Sequence, residues 1–93
     1  MESLRLDKWL WFARFLKSRS QAQGLIEEGL VRLNGQPVVK VSAAVKPGDE
    51  LVFFLRRRWR RVRVLALGER RGPAPEAQVL YEELPPPLFP PPE

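Results

Sequence analysis

Arg5-Leu6-Asp7-Lys8-Trp9-Leu10, then Lys17-Ser18-Arg19-Ser20-Gln21-Ala22, then Leu25-Ile26-Glu27-Glu28-Gly29, then Val31-Arg32-Leu33-Asn34-Gly35, decide the fold of this chain. They spell two helix starts, a helix stop and a tight turn. Asp7 suits the start of a helix, where a carboxylate meets free N–H groups and the positive end of the dipole. The spacing predicts a first helix from Asp7 to about Leu16, with Leu6, Trp9, Leu10, Ala13 and Leu16 on one broad face. Lys8, Trp11, Phe12, Arg14 and Phe15 fall on the opposite side. Three aromatics there call for a cover, which the C-terminal segment or a partner would supply. Ser18 with Gln21, or Ser20 with Gln23, fits a capping box for the second helix. Ala22, Leu25 and Ile26 form its apolar stripe, and Gly29 stands where a left-handed cap is wanted.

Working outward, Val31 to Leu33 reads as a strand and Asn34-Gly35 as a two-residue hairpin turn. Pro37 to Val41 is the predicted return strand, and Lys46-Pro47-Gly48-Asp49 a turn. Leu51 to Leu55 and Arg60 to Leu67 are two further strands. Between them lies a basic tip, Arg56-Arg57-Arg58-Trp59. Gly68 to Gly72 is a loop, and Glu76 to Leu84 is compatible with a short helix. Six of the ten prolines lie in residues 85–92, so that end is expected to be polyproline-like or disordered.

Ninety-three residues bound the chain to one domain with one modest core. It has no cysteine and no histidine, which removes thiolate chemistry, the commonest general base and the usual zinc ligand. No cofactor, no metal and no catalytic residue are expected. The longest apolar runs, Trp9–Ala13 and Leu51–Leu55, are too short to span a bilayer, and no signal peptide is legible. These features point to a cytoplasmic protein without a membrane partner, and a monomer is expected. The net charge is +5, carried mostly by arginine. Residues 1–63 hold fourteen basic and six acidic side chains, residues 64–93 two and five. A basic body with a mildly acidic tail suits a polyanionic partner. A surface tuned for solubility is the alternative.

Three constellations carry the candidate chemistry. Arg5, Lys8, Lys17, Ser18, Arg19, Ser20 and Gln21 gather at the helix starts, where free N–H groups and cations suit a phosphate. The serines are equally explained as caps. Arg32, Asn34, Gly35 and Lys40 decorate the first hairpin. Arg56, Arg57, Arg58, Trp59 and Arg60 form a secondary site able to grip a backbone and stack on an unpaired base. Its alternative is a solvated turn with Trp59 packed on arginine stems.

In order over residues 5–51, Arg-Leu-Asp-Lys, Lys-Ser-Arg-Ser-x-Ala, Leu-Ile-x-x-Gly-x-Val-x-Leu-Asn-Gly and Val-Lys-Pro-Gly-Asp-Glu-Leu resemble the alpha-L RNA-binding motif of ribosomal protein S-four-like domains. Trp9-Leu10-Trp11-Phe12-Ala13-Arg14 and Glu76-Ala77-x-x-Leu80-Tyr81-Glu82-Glu83 resemble the ribosome-associated fifteen-kilodalton heat-shock protein family. The resemblance implies an α+β fold: two N-terminal helices on a small antiparallel sheet of four to five strands, with a short C-terminal helix. It divides the chain into an alpha-L domain, 1–67, an extension, 68–84, and a Pro-rich tail, 85–93. It implies RNA binding through Arg5, Lys8, Lys17, Ser18, Arg19, Ser20, Gln21, Arg32, Asn34, Gly35 and Lys40, with Asp7 structural. The implied partners are large-subunit ribosomal RNA and tRNA, on a subunit carrying a stalled nascent chain, and the implied protein is not an enzyme. The tip is more basic than the family leads one to expect. Alternatives are a targeting partner for an RNA-modifying enzyme and a protein-interaction module using the helix 1 aromatics.

Overall fold

The structure is a computed structural model and describes residues 2–92; expectations for Met1 and Glu93 lie outside it. Its elements are β1 (Leu4–Arg5), α1 (Leu6–Phe12), α2 (Arg19–Glu27), β2 (Val31–Leu33), β3 (Gln36–Pro37), β4 (Ala44–Val45), β5 (Glu50–Leu55), β6 (Arg58–Val64), α3 (Ala74–Gln78) and β7 (Tyr81–Leu84). Five strands form one antiparallel sheet in the order β3-β2-β5-β6-β7, and β1 pairs with β4 separately. The expected α+β architecture is present, with both long helices packed on one face of the sheet.

α1 is shorter than its periodicity predicts. It ends at Phe12 because Arg14 turns left-handed, at φ 64°. Arg14 N–H bonds Trp11 O at 3.1 Å and Phe15 N–H bonds Leu10 O at 3.1 Å, which together close a Schellman cap. A non-glycine residue there costs about 1–2 kcal/mol. The Arg14 Nε–H bond to Gly72 O, 2.6 Å, helps to hold it. The stop swings Phe15 inward, so the predicted outer aromatics are not on an outer face. Phe12 and Phe15 are buried, and Trp11 is half-buried beneath the Arg71 guanidinium. Phe15 packs on Trp9, Phe53 and Tyr81, the last at 4.6 Å between centroids. The C-terminal segment thus supplies much of the cover, through Arg71, Leu80 and Tyr81. Val79, in the same segment, is 66% exposed.

α2 follows its capping chemistry. Ser18 Oγ accepts from Gln21 N–H at 3.1 Å, while Gln21 Oε1 accepts from Lys17 N–H. Gly29, φ 78°, ends the helix with a second Schellman pair. Asn34 and Gly35, φ 51° and 85°, make the expected hairpin turn. Its return strand is only Gln36–Pro37, shorter than Pro37–Val41; one further bond, Val38 N–H to Val31 O at 3.0 Å, follows before the chain leaves the sheet. The two later strands are shifted, to Glu50–Leu55 and Arg58–Val64. Glu76 to Leu84 is not one helix: α3 is a single short turn, and Tyr81–Leu84 is a strand on β6.

Strand alternation sorts the sheet. Val31, Leu51, Phe53, Val62 and Val64 are fully buried against Leu6, Trp9, Leu10, Ala22 and Ile26. Each large side chain among them contributes about 1.5–3 kcal/mol. Trp9 satisfies its indole N–H on Ala66 O at 2.9 Å. The intervening residues, Arg32, Val52, Phe54, Trp59, Arg61 and Arg63, point to the other face, the outer one.

Candidate nucleic-acid interface

The helix junction is organised by one buried carboxylate. Asp7 is fully buried and accepts from Arg5 Nε (3.1 Å), Arg5 Nη2 (3.2 Å), Arg19 Nη2 (3.3 Å), Gln23 Nε2 (2.8 Å) and its neighbour Lys8 N–H (2.9 Å). Arg5 comes from β1 and Arg19 from α2, so Asp7 fixes the spacing of two cations from different elements. Their side chains remain 46% and 39% exposed, leaving donors for a further anion. Burial acts to raise the Asp7 pKa. The hydrogen bonds from Gln23 and Arg5 and the charges of Arg19 and Arg5 outweigh it and hold the carboxyl below the usual range. Lys17, Ser20 and Gln21 are exposed at the start of α2, beside the capping Ser18. Lys8 sits over the Phe12 ring at 5.5 Å.

An open groove of about 500 Å³ joins this junction to the β5–β6 hairpin. Lys17 and Gln21 line one side and Arg56 the other, over a floor that includes Leu16, Leu25 and Leu55; Glu28 is the acidic group on its rim. The turn at the tip is unusual. Arg56 and Arg57 both adopt left-handed conformations, φ 52° and 69°, where such turns favour Asn-Gly. Among the described residues, no ion pair engages Arg56, Arg57 or Arg58, and all three are exposed. The rest of the arginine run is different. Arg60 pairs with Glu83 and lies over the Phe15 ring at 4.9 Å, Arg61 pairs with Glu50 at 2.5 Å, and Arg63 with Glu82 at 2.9 Å. These three have structural employment that the spacing alone did not reveal.

The first-hairpin residues have different settings; the turn that holds Lys40 reaches the start of α1, where Ala43 O accepts from Leu6 N–H at 2.7 Å. Arg32 and Trp59 lie on the outer face of the sheet. Asn34 is committed internally: its Oδ1 accepts from Glu50 N–H at 2.9 Å and its Nδ2 donates to Asp49 at 3.1 Å. Gly35 completes the same turn, and Lys40 is exposed in the loop after β3. Asp49, 5% exposed, also accepts from Lys46 N–H and Nζ, each at 2.9 Å. Burial works against its charge, but the bonds from Lys46 and Asn34 prevail and lower its pKa. Sequence reasoning missed Gln23 as the third side chain on Asp7; its i+16 separation leaves no local signal.

These two aspartates, with Glu50, whose pKa the Arg61 hydrogen bond lowers, contribute to the acid limit of the fold. A carboxylate with a depressed folded pKa contributes stability that is full above its unfolded pKa, near 4, and lost as pH falls through the folded value. The melting temperature is therefore expected to be level between about pH 8 and 5, as far as these groups govern it, and to fall below about pH 4. Asp49→Asn should flatten part of that fall in a thermal scan against pH; an unchanged acid limb would remove Asp49 from it.

The fold and its basic helix junction define a small domain of the S4 type, and the S4 domain pattern matches residues 4–51. The chain is 45% identical over 82 residues to a heat shock protein 15 homolog of Haemophilus influenzae, covering 88% of this chain and 62% of that protein. It is 37% identical over 79 residues to an RQC P-site tRNA stabilizing factor of Halalkalibacterium halodurans, covering 85% and 88%. The trimeric structure of Vibrio cholerae heat shock protein 15 superposes with a TM-score of 0.83 at 41% identity, over 89% of this chain and 83% of that one. The chain belongs to the S4 domain family and, within it, to the heat shock protein 15 group. It spans about three-fifths of the length of the heat shock protein 15 relative from Haemophilus influenzae. The expectation of a monomer finds no support in the solved neighbour, which is trimeric. Among the described residues, no helix is long and apolar enough to cross a membrane.

Proposed function

We propose that this protein is a ribosome-associated RNA binder of the cytoplasm that works by attachment rather than catalysis. The observation that carries the reading is the groove joining Lys17 and Gln21 to Arg56, with a cation on each side that forms no ion pair among the described residues and one acidic group, Glu28, on its rim. In this reading Arg5, Lys8, Lys17, Arg19 and Arg56–Arg58 meet phosphates, and Ser18, Ser20 and Gln21 frame the start of α2. The alpha-L part, residues 1–67, carries the primary surface. The extension, 68–84, completes its sheet and covers its aromatics. The name of one relative favours tRNA in the P site as a partner; large-subunit ribosomal RNA, on a subunit stalled with its nascent chain, is the partner that the family resemblance implies.

Binding to purified large ribosomal subunits tests this, with and without peptidyl-tRNA. Affinity is expected to fall steeply with salt, by close to one logarithmic unit per logarithm of salt for each phosphate contacted. Lys17→Ala should weaken binding several-fold and reduce that slope by about one. Its exposed side chain predicts an unchanged melting temperature. A flat salt response would overturn the electrostatic mechanism, and equal affinity with and without tRNA would remove tRNA from the site.

A further inference from the structure

The proline-rich segment crosses the outer face of the sheet and sits on Trp59, the half-buried aromatic of the arginine tip. Phe89 meets Trp59 edge to face, with centroids 5.4 Å apart and planes at 89°. The Arg32 guanidinium lies 4.7 Å from the Phe89 centroid. Trp59 donates its indole N–H to Pro90 O at 3.0 Å. On its other side Trp59 contacts Phe54, 5.2 Å away. An indole braced by a second aromatic and flanked by arginines is the chemistry that stacks an unpaired base and holds its phosphate. Phe89 and its polyproline neighbours fill that place.

We infer that residues 86–91 are a strap that masks a base-stacking site formed by Trp59, Phe54 and Arg32, and that single-stranded RNA displaces it. The inference rests on the reading of the chain as an RNA binder. The strap is pre-extended by its prolines, so docking costs little chain entropy. It is also lightly held. Phe89 stays 38% exposed, Leu88 is fully exposed, and residues 85–92 carry no charge. Salt therefore leaves the strap's hold largely unaltered while it weakens the attraction of RNA for the arginines. The balance between strap and RNA shifts toward RNA as salt falls.

The test uses the full chain and a short single-stranded oligouridylate at fixed salt. Phe89→Ser should free the Trp59 indole N–H, read as faster exchange of its NMR signal, and tighten RNA binding roughly fivefold or more, a shift within the range of one base stack. In the unaltered chain the same signal should move on RNA addition. Trp59→Ala should weaken binding and erase the gain from Phe89→Ser. Lys17→Ala, remote from the strap, reports on RNA binding separately. If Phe89→Ser frees the indole but leaves affinity unchanged while Lys17→Ala weakens it, the strap does not compete and the inference is overturned, with the RNA reading intact. An indole equally protected in Phe89→Ser overturns the docking itself. No binding by any variant defeats the RNA reading, and the strap's role with it.

Discussion

Asp7→Ala is expected to lower the melting temperature by more than about 10 °C. The carboxylate is fully buried and serves Arg5, Arg19, Gln23 and the Lys8 N–H together. Removing it leaves two guanidiniums without their shared carboxylate and two amide donors, Gln23 Nε2 and Lys8 N–H, without that partner. Breaking a buried charge pair costs about 3–5 kcal/mol. Both arginines are more than a third exposed and recover some hydration, which places the loss near the lower end. In a domain of this size about 1 kcal/mol corresponds to roughly 4–8 °C. Asp7→Asn, which keeps the shape and one acceptor, should lose less. Thermal melts of the two variants check this, and RNA affinity measured well below melting should fall as Arg5 and Arg19 lose their fixed spacing. A melting temperature within a few degrees of the parent would show that the junction does not depend on Asp7.

The second large effect has opposite signs in two measurements. Replacing Arg56-Arg57 with Asn-Gly should raise stability and weaken RNA binding. Each arginine in a left-handed conformation costs about 1–2 kcal/mol, and Asn-Gly relieves most of it. Strained backbone of this kind gathers where function holds it in place. The same change removes two exposed cations from the groove rim and tip, so affinity for large ribosomal subunits should drop by about tenfold or more at low salt. Higher melting with undiminished binding would show that the tip is only a turn.

The second helix and first hairpin are legible because their signals are local. Ser18 caps three residues ahead, Gly29 marks the stop and Asn34-Gly35 the turn, all within one run of sequence. The end of α1 is not legible, because an arginine takes the position that glycine usually advertises. Once Arg14 is left-handed, the aromatic pattern rearranges, and Phe15 moves from the expected outer side to the core. β7 is misread for a different reason. Its residues, Tyr81-Glu82-Glu83-Leu84, suit a helix locally, but pairing with β6 sets Glu82 opposite Arg63 and brings Glu83 to Arg60. That gain comes from register, which sequence does not display. The same register explains the candidate site. The basic residues were visible, but the division of the arginine run into paired (Arg60, Arg61, Arg63) and unpaired (Arg56–Arg58) members depends on which strand lies beside which. β1 and β4, two residues each, are below the length at which alternation carries information.

The glutamates of β7 also give the molecule an electrical orientation. They quench arginines at one margin of the sheet, while the hairpin tip and the helix junction keep their positive charge. A body polarised in this way does not tumble indifferently toward a polyanion; the field turns its cationic end forward before contact. Ionic strength should then act chiefly on how fast encounters become productive, and much less on how long the bound protein stays.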